Sequence, residues 1–116
     1  MSLGSVDQWV VNAVAPPVLA RFWAHLLGGE AVDRADGWSR VEAGSVRLAF
    51  QPTSEPGARD RIHVDVRVED IAEVTERLVE RGATVVGDPV TDAQGSFQVL
   101  RDPEGNAFCL VRPADR

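Results

Sequence analysis

Hydrophobic and polar residues alternate with a period of two from Ile62 to Val68. The pattern predicts a strand with Ile62, Val64, Val66 and Val68 on one face and His63, Asp65 and Arg67 on the other. An apolar strand face needs a cover, and the period changes at once to supply one. Ile71, Val74, Leu78 and Val79 fall on one side of a helix that opens at Asp70, with Glu73 in the capping-box position and Gly82 at its end. Strands then fit Ala83 to Val86, Phe97 to Arg101 and Asn106 to Arg112, separated by an insertion around Val86 to Gly95. Asp102-Pro103-Glu104-Gly105 joins the last two, with proline and glycine where a type I turn favours them.

The first half of the chain carries the same plan. Trp9, Val11 and Ala13 alternate with Gln8, Val10 and Asn12 in a strand from Val6 to Val14 whose second face is partly polar. Pro16-Pro17 suits a first helical turn, Leu19, Phe22, Trp23, Leu26 and Leu27 follow at helical spacing, and Gly28-Gly29 close the helix. Trp9, Phe22 and Trp23 are expected to pack in the core. Short strands fit Glu30 to Arg34, Trp38 to Glu42 and Ser45 to Gln51, with turns at Asp36-Gly37 and Ala43-Gly44. Pro52 to Asp60, with two prolines and no periodicity, is a connector.

Strand, helix and three strands thus occur twice. Gln8 and His63 are 55 positions apart and Gly28 and Gly82 are 54 apart, so an internal duplication is inferred at the level of secondary structure. The expected fold class is α+β: two βαβββ modules, about 5–52 and 61–113 with the connector 53–60 between them, forming one 116-residue domain. Helices would lie on the outer faces of a cupped mixed sheet around a shared cleft.

Composition narrows the chemistry. The net charge is −6 and basic residues are scattered, so no continuous positive face is offered to a nucleic acid. No apolar run has membrane length and no signal peptide is visible, which with the single Cys109 leads to a cytoplasmic expectation. Met1-Ser2-Leu3 is read as a leader outside the fold. All twelve basic residues are arginine, which removes Schiff-base, pyridoxal-anchoring and P-loop lysines and fits a GC-rich bacterial genome. Acid–base work is left to His25, His63, Cys109 or a carboxylate.

Five separated segments resemble the vicinal oxygen chelate superfamily, the glyoxalase/bleomycin resistance/dioxygenase proteins, and above all its small bacterial glyoxalase-like domains. They are Ala20-Arg21-Phe22-Trp23 followed by Leu27-Gly28, then Leu48 to Pro52, Ile62 to Val68, Arg81-Gly82-Ala83, and Asp102 to Val111. The resemblance covers Val6 to Arg112. It implies homodimerisation and, in many members, a divalent metal held by the first and last strand of each module to activate vicinal oxygens of a substrate. Those four positions fall here on Gln8, Arg47, His63 and Cys109. Gln8 and His63 are residue types that the family uses as ligands, whereas a guanidinium has no lone pair and repels a dication. The expectation is therefore a cleft without the usual metal; Zn, Ni, Mn or Fe on Gln8, His63 and Cys109 is the alternative.

Among individual residues His63 leads, as a base oriented by Asp65 or as a histidine hydrogen-bonded within a polar sheet face. Arg47 either recognises an anionic or carbonyl-bearing ligand and stabilises an oxyanion, or forms an internal ion pair with Asp65. Cys109 fits a buried small hydrophobe better than a nucleophile. Gln8, Asn12, Gln51, Trp38 and Cys109 join Arg47 as candidate substrate contacts, Trp38 at the rim of the cleft. The function expected is binding of a small polar or anionic organic molecule; the alternative is a lyase, isomerase or dioxygenase with a divergent site.

Overall fold

The computed structural model describes residues 2–55, 57 and 60–114. Met1 and connector residues 56, 58 and 59 lie outside the described set, as do 115 and 116. Two compact units divide the chain, one formed by Gln8–His63 and the other by Val64–Arg116 with Met1–Asp7. Both follow the order expected from the sequence, and no described helix is long and apolar enough to cross a membrane.

The first module comprises β1 (Ser5–Ala13), α1 (Pro16–Leu27), β2 (Glu30–Asp33), β3 (Ser39–Ala43) and β4 (Val46–Pro52), with strands in the order β2-β3-β4-β1. β1 runs parallel to β4, while β2–β3 and β3–β4 are antiparallel. Its core joins Ala13, Val41 and Phe50 to Ala20 and Ala24 of α1, flanked by Val11, Leu19, Trp23 and Leu48. Helix α1 approaches closely because it packs through alanines. Gly28 ends it in the left-handed region at φ 83°, donating to the Ala24 carbonyl, and a methyl at Gly29 would collide with the Glu42 carbonyl of β3. An Arg21 fork clasps Asp33 with two bonds of 3.0 Å, and the Ser39 hydroxyl donates to the same carboxylate at 2.8 Å, which pins α1 to the β2–β3 hairpin.

That packing corrects two expectations. Trp23 packs against the core, but Phe22 is 60% exposed and Trp9 44% exposed. Phe22 sits about 200° around the helix from Ala20, so once Ala20 and Ala24 face the sheet, Phe22 and Leu26 must face away.

The second module comprises β5 (Ile62–Arg67), α2 (Ile71–Glu80), β6 (Thr84–Asp92), β7 (Gly95–Arg101) and β8 (Ala107–Pro113), ordered β5-β8-β7-β6. β5 and β8 are parallel; the remaining neighbours are antiparallel. Asp70 caps α2 through a 3.0 Å bond from the Glu73 N–H, half of the expected capping box. Val68, Val74, Leu100 and Leu110 form the core, with Val66, Ile71, Leu78 and Phe108 around them. Burying side chains such as Leu100 contributes roughly 2 kcal/mol each.

β6 overruns the strand end expected at Val86, and most of the stretch around Val86 to Gly95 expected as an insertion is strand. β6 continues to Asp92 across a register shift between Val86 and Val90. Gly87, at φ 70°, and Pro89 are taken up in this irregularity, and the buried Gln98 amide of β7 donates to the Val86 and Gly87 carbonyls at 3.3 and 3.1 Å. Carbonyls that lose ladder partners at the bulge thereby regain a donor.

Candidate functional site

The parallel register of β5 and β8 sets Asp65 opposite Cys109, one step along from Val64 opposite Phe108. Val66, Phe108 and Leu110 belong to the face packed with α2, so alternation turns Asp65 and Cys109 to the other face. His63, two residues before Asp65 on β5, shares that face. The imidazole nitrogen, carboxylate oxygen and thiol sulfur lie within 4.8 Å of one another. Asp65 is buried, with 8% of its surface exposed, while His63 and Cys109 are half-buried.

This environment decides the state of the thiol. Burial pushes the Cys109 pKa up to about 12, and the Asp65 charge adds to the shift. A thiol so placed is protonated at neutral pH and is a poor nucleophile. The carboxylate beside the imidazole can orient the ring, the arrangement that an acid–base histidine needs.

The donor set also suits a metal. A tetrahedral ion with bonds of 2.0–2.3 Å holds its donors roughly 3.3–3.8 Å apart. A 4.8 Å group closes to that spacing with about an ångström of side-chain movement. Nitrogen, oxygen and sulfur together match a borderline ion such as zinc better than magnesium or calcium. Among described His, Cys, Asp and Glu side chains this is the group able to hold an ion, and it brings in Asp65, which the family-based ligand set of Gln8, His63 and Cys109 left out. The signal that could have found it is the step of two from His63 combined with parallel pairing of β5 and β8.

Other sequence-predicted residues have their own settings. Arg47 forms its ion pair with Glu42, its register partner on β3, through Nε at 2.7 Å and through Nη2. Asn12 and Gln51 are register partners on β1 and β4, and the Asn12 N–H donates to the Arg61 carbonyl at 2.8 Å. Gln8 lies on β1 at the same parity as Asn12. Trp38 stands in the β2–β3 turn with the Arg34 guanidinium 5.1 Å from its ring centroid. Arg34 also grips Asp36 and holds that carboxyl below its usual range, so Trp38 is part of a hairpin-tip cluster.

Residues 8–111 match the glyoxalase-like domain family. No curated protein matches the chain. Solved structures with the same fold include a hypothetical protein of Bacillus halodurans, 15% identical at a TM-score of 0.76, covering 99% of this chain and 98% of that one. Methylmalonyl-CoA epimerase of Mycobacterium tuberculosis is 16% identical at a TM-score of 0.72, over 98% of this chain and 91% of the epimerase. A glyoxalase/bleomycin resistance protein/dioxygenase superfamily member of Vibrio splendidus is 16% identical at 0.67, over 93% and 99%. At these identities the likeness is one of fold. With the family match spanning both βαβββ modules, the chain belongs to the glyoxalase-like domain family.

Proposed function

We propose that this domain binds a small polar organic molecule on the β5–β8 face, with His63 as the group that hydrogen-bonds the ligand and exchanges a proton with it. The observation that carries this reading is the convergence of His63, Asp65 and Cys109 within 4.8 Å on the face turned away from the α2 core. Asp65 orients the ring. Cys109, protonated at neutral pH, bounds the site as a compact apolar wall with a weak donor. If the bound molecule is turned over, the chemistry is proton transfer at a ligand carbon or oxygen, as in a lyase or isomerase, with no covalent thiol adduct.

The test is thermal unfolding of the metal-free chain with a panel of α-hydroxy acids, 1,2-diketones and 1,2-diols, repeated on His63→Ala and Asp65→Asn. A ligand at a hundredfold excess over its Kd stabilises the folded state by about 2.7 kcal/mol. For a chain of this length that is a rise in Tm of roughly 10 °C. The expected result is a shift in wild type that His63→Ala abolishes and Asp65→Asn reduces. Equal shifts in all three proteins would place binding elsewhere, and a panel with no active member would sink the reading.

A second reading is favoured by the donor set: His63, Asp65 and Cys109 would hold a zinc-like ion, which would supply Lewis-acid polarisation to a ligand's vicinal oxygens. A dication is stabilised by the same Asp65 charge that disfavours the thiolate. Zinc titrated into weakly buffered protein near neutral pH should release one proton from Cys109, because coordination requires the thiolate. Stoichiometric binding without proton release, or binding that Cys109→Ser leaves intact, would remove Cys109 from the ligand set.

A further inference from the structure

The sheet face of the first module turned away from α1 carries a guanidinium that the sequence pattern did not single out. Val41 of β3 packs in the core with α1, so alternation turns Arg40 to the opposite face. Register sets Arg40 between Val32 of β2 and Ala49 of β4. Ala49 contributes only a methyl, and beyond it on β1 stands Val10; both are buried and make an apolar floor beside the guanidinium. Two residues further along β4, Gln51 is the register partner of Asn12 and lies diagonal to Arg40, a separation that long side chains span. Arg40, Asn12 and Gln51 are all half-buried, and none of their side chains has a hydrogen-bond or ion-pair partner among the described residues. We infer that this face binds a small monocarboxylate, with Arg40 as its counter-charge and Asn12 and Gln51 bonding a neighbouring hydroxyl or carbonyl oxygen of the same molecule.

The donors select that chemistry. Three polar side chains partly withdrawn from water, with their bonding capacity unused, favour an incoming acceptor. A guanidinium fork matches the two oxygens of a carboxylate. Each amide offers both a donor and an acceptor, which suits a hydroxyl or carbonyl next to the carboxylate. The apolar floor of Val10 and Ala49 keeps water from one side of the ion pair and so strengthens it.

Charge limits the ligand to one negative unit. Arg47, the other guanidinium of β3 and β4 on this face, is committed to Glu42, and Glu30 stands in register with Glu42. A phosphate dianion would meet one uncompensated cation and the repulsion of these carboxylates, whereas a carboxylate is matched by Arg40 alone. Recognition of an anion, expected of Arg47 from the sequence, therefore passes to Arg40. All of these residues lie within Gln8–His63, and the inference does not rest on the β5–β8 ligand reading.

Nuclear magnetic resonance titration of isotope-labelled protein at constant ionic strength tests it. The probes are lactate, its uncharged analogue propane-1,2-diol, and inorganic phosphate, each taken through the millimolar range. Lactate should shift the Arg40 Nε–H signal together with the Asn12 and Gln51 amide signals, and should bind more tightly than either other probe. Arg40→Met should weaken lactate about 10- to 100-fold, the loss of a charge-assisted hydrogen bond, and Asn12→Ala about two- to tenfold. Arg40→Lys, which keeps the charge without the fork, should recover only part of the affinity. Arg112→Met, at an exposed arginine of β8, should leave it unchanged. A second measurement needs no substitution: lactate should protect Arg40 of wild type from phenylglyoxal, a guanidinium reagent, as read from peptide masses. No response to lactate, full affinity in Arg40→Met, phosphate binding more tightly than lactate, or equal modification of Arg40 with and without lactate would each overturn the inference. Lactate binding lost in His63→Ala and intact in Arg40→Met would overturn it in favour of the β5–β8 face.

Discussion

Cys109 offers the sharpest check on the candidate site, because its environment converts directly into a rate. With the pKa moved from 9.0 to about 12, the thiolate fraction near pH 8 falls from about one-tenth to about one in ten thousand, a factor of ~10³. The loss is partly recovered, since a more basic thiolate is the better nucleophile. A Brønsted coefficient of about 0.4–0.5 over three units returns roughly 15–30-fold. The net expectation is a reaction with a disulfide reagent about 30–70-fold slower than that of a free cysteine, before any loss from restricted access. The assay is the second-order rate against pH on folded metal-free protein, with circular dichroism at each point. An ordinary thiol levels off above about pH 9, whereas the Cys109 rate should still climb nearly tenfold per pH unit through 10.

Asp65→Asn separates the two causes. Burial is the larger, so removing the neighbouring charge should lower the apparent pKa while leaving it above 9.0. The same shift appears in stability. A folded-state pKa above the unfolded value means stability is fully present below about pH 9 and is lost as pH rises toward 12. The slope is at most about 1.4 kcal/mol per pH unit, discounted because the thiol is partly exposed, and Cys109→Ser should remove it. A rate plateau near pH 9, at the speed of a free cysteine, would refute the half-buried, protonated thiol on which the proposed site depends.

Three further outcomes test the frame around the site. Arg21 first, then Ser39, hold the Asp33 carboxyl below its ordinary 3.8, so the stability that it contributes is present above that value and lost as pH falls through the lower folded pKa. Urea midpoints measured below about pH 4 should therefore fall less steeply in Asp33→Asn than in wild type. Gln98→Leu removes the donor shared by the Val86 and Gly87 carbonyls; it should cost about 1–3 kcal/mol in urea unfolding and speed amide exchange around the β6 bulge, and an unchanged midpoint would show water doing the same work. Gly29→Ala sets a methyl against the Glu42 carbonyl and should cost about 1–3 kcal/mol by the same measurement, with retention of wild-type stability showing that α1 can lift off β3.

The order of elements was legible because the hydrophobic period changes from two to 3.6 at Asp70 and after Ala13, and proline or glycine marks nearly every boundary. Those markers report local backbone preference, and they mislead where tertiary contacts compensate. Gly87-Asp88-Pro89 reads as the end of a strand, yet a buried glutamine on the next strand supplies what the bulge lacks. In α1, periodicity could not choose between two apolar stripes. Ala20 and Ala24 form the inner one, because small side chains allow the helix closer to the sheet than Phe22 or Leu26 would.

The site shows the same limit in a form that bears on function. Alternation alone placed His63 and Asp65 on one face, since that requires only the backbone of β5. Bringing Cys109 to them requires β8, 44 positions after Asp65, to run parallel to β5 in one register. A shift of one residue would set Leu110 opposite Asp65 and return the thiol to the α2 face. Register is held by the core on the other side, where Val66, Phe108 and Leu110 pack with Val74 of α2. The residues that assemble the cluster are thus apolar ones that never touch it. Substitutions in that core should disturb His63, Asp65 and Cys109 together, whereas changes to any one donor leave the strands in place.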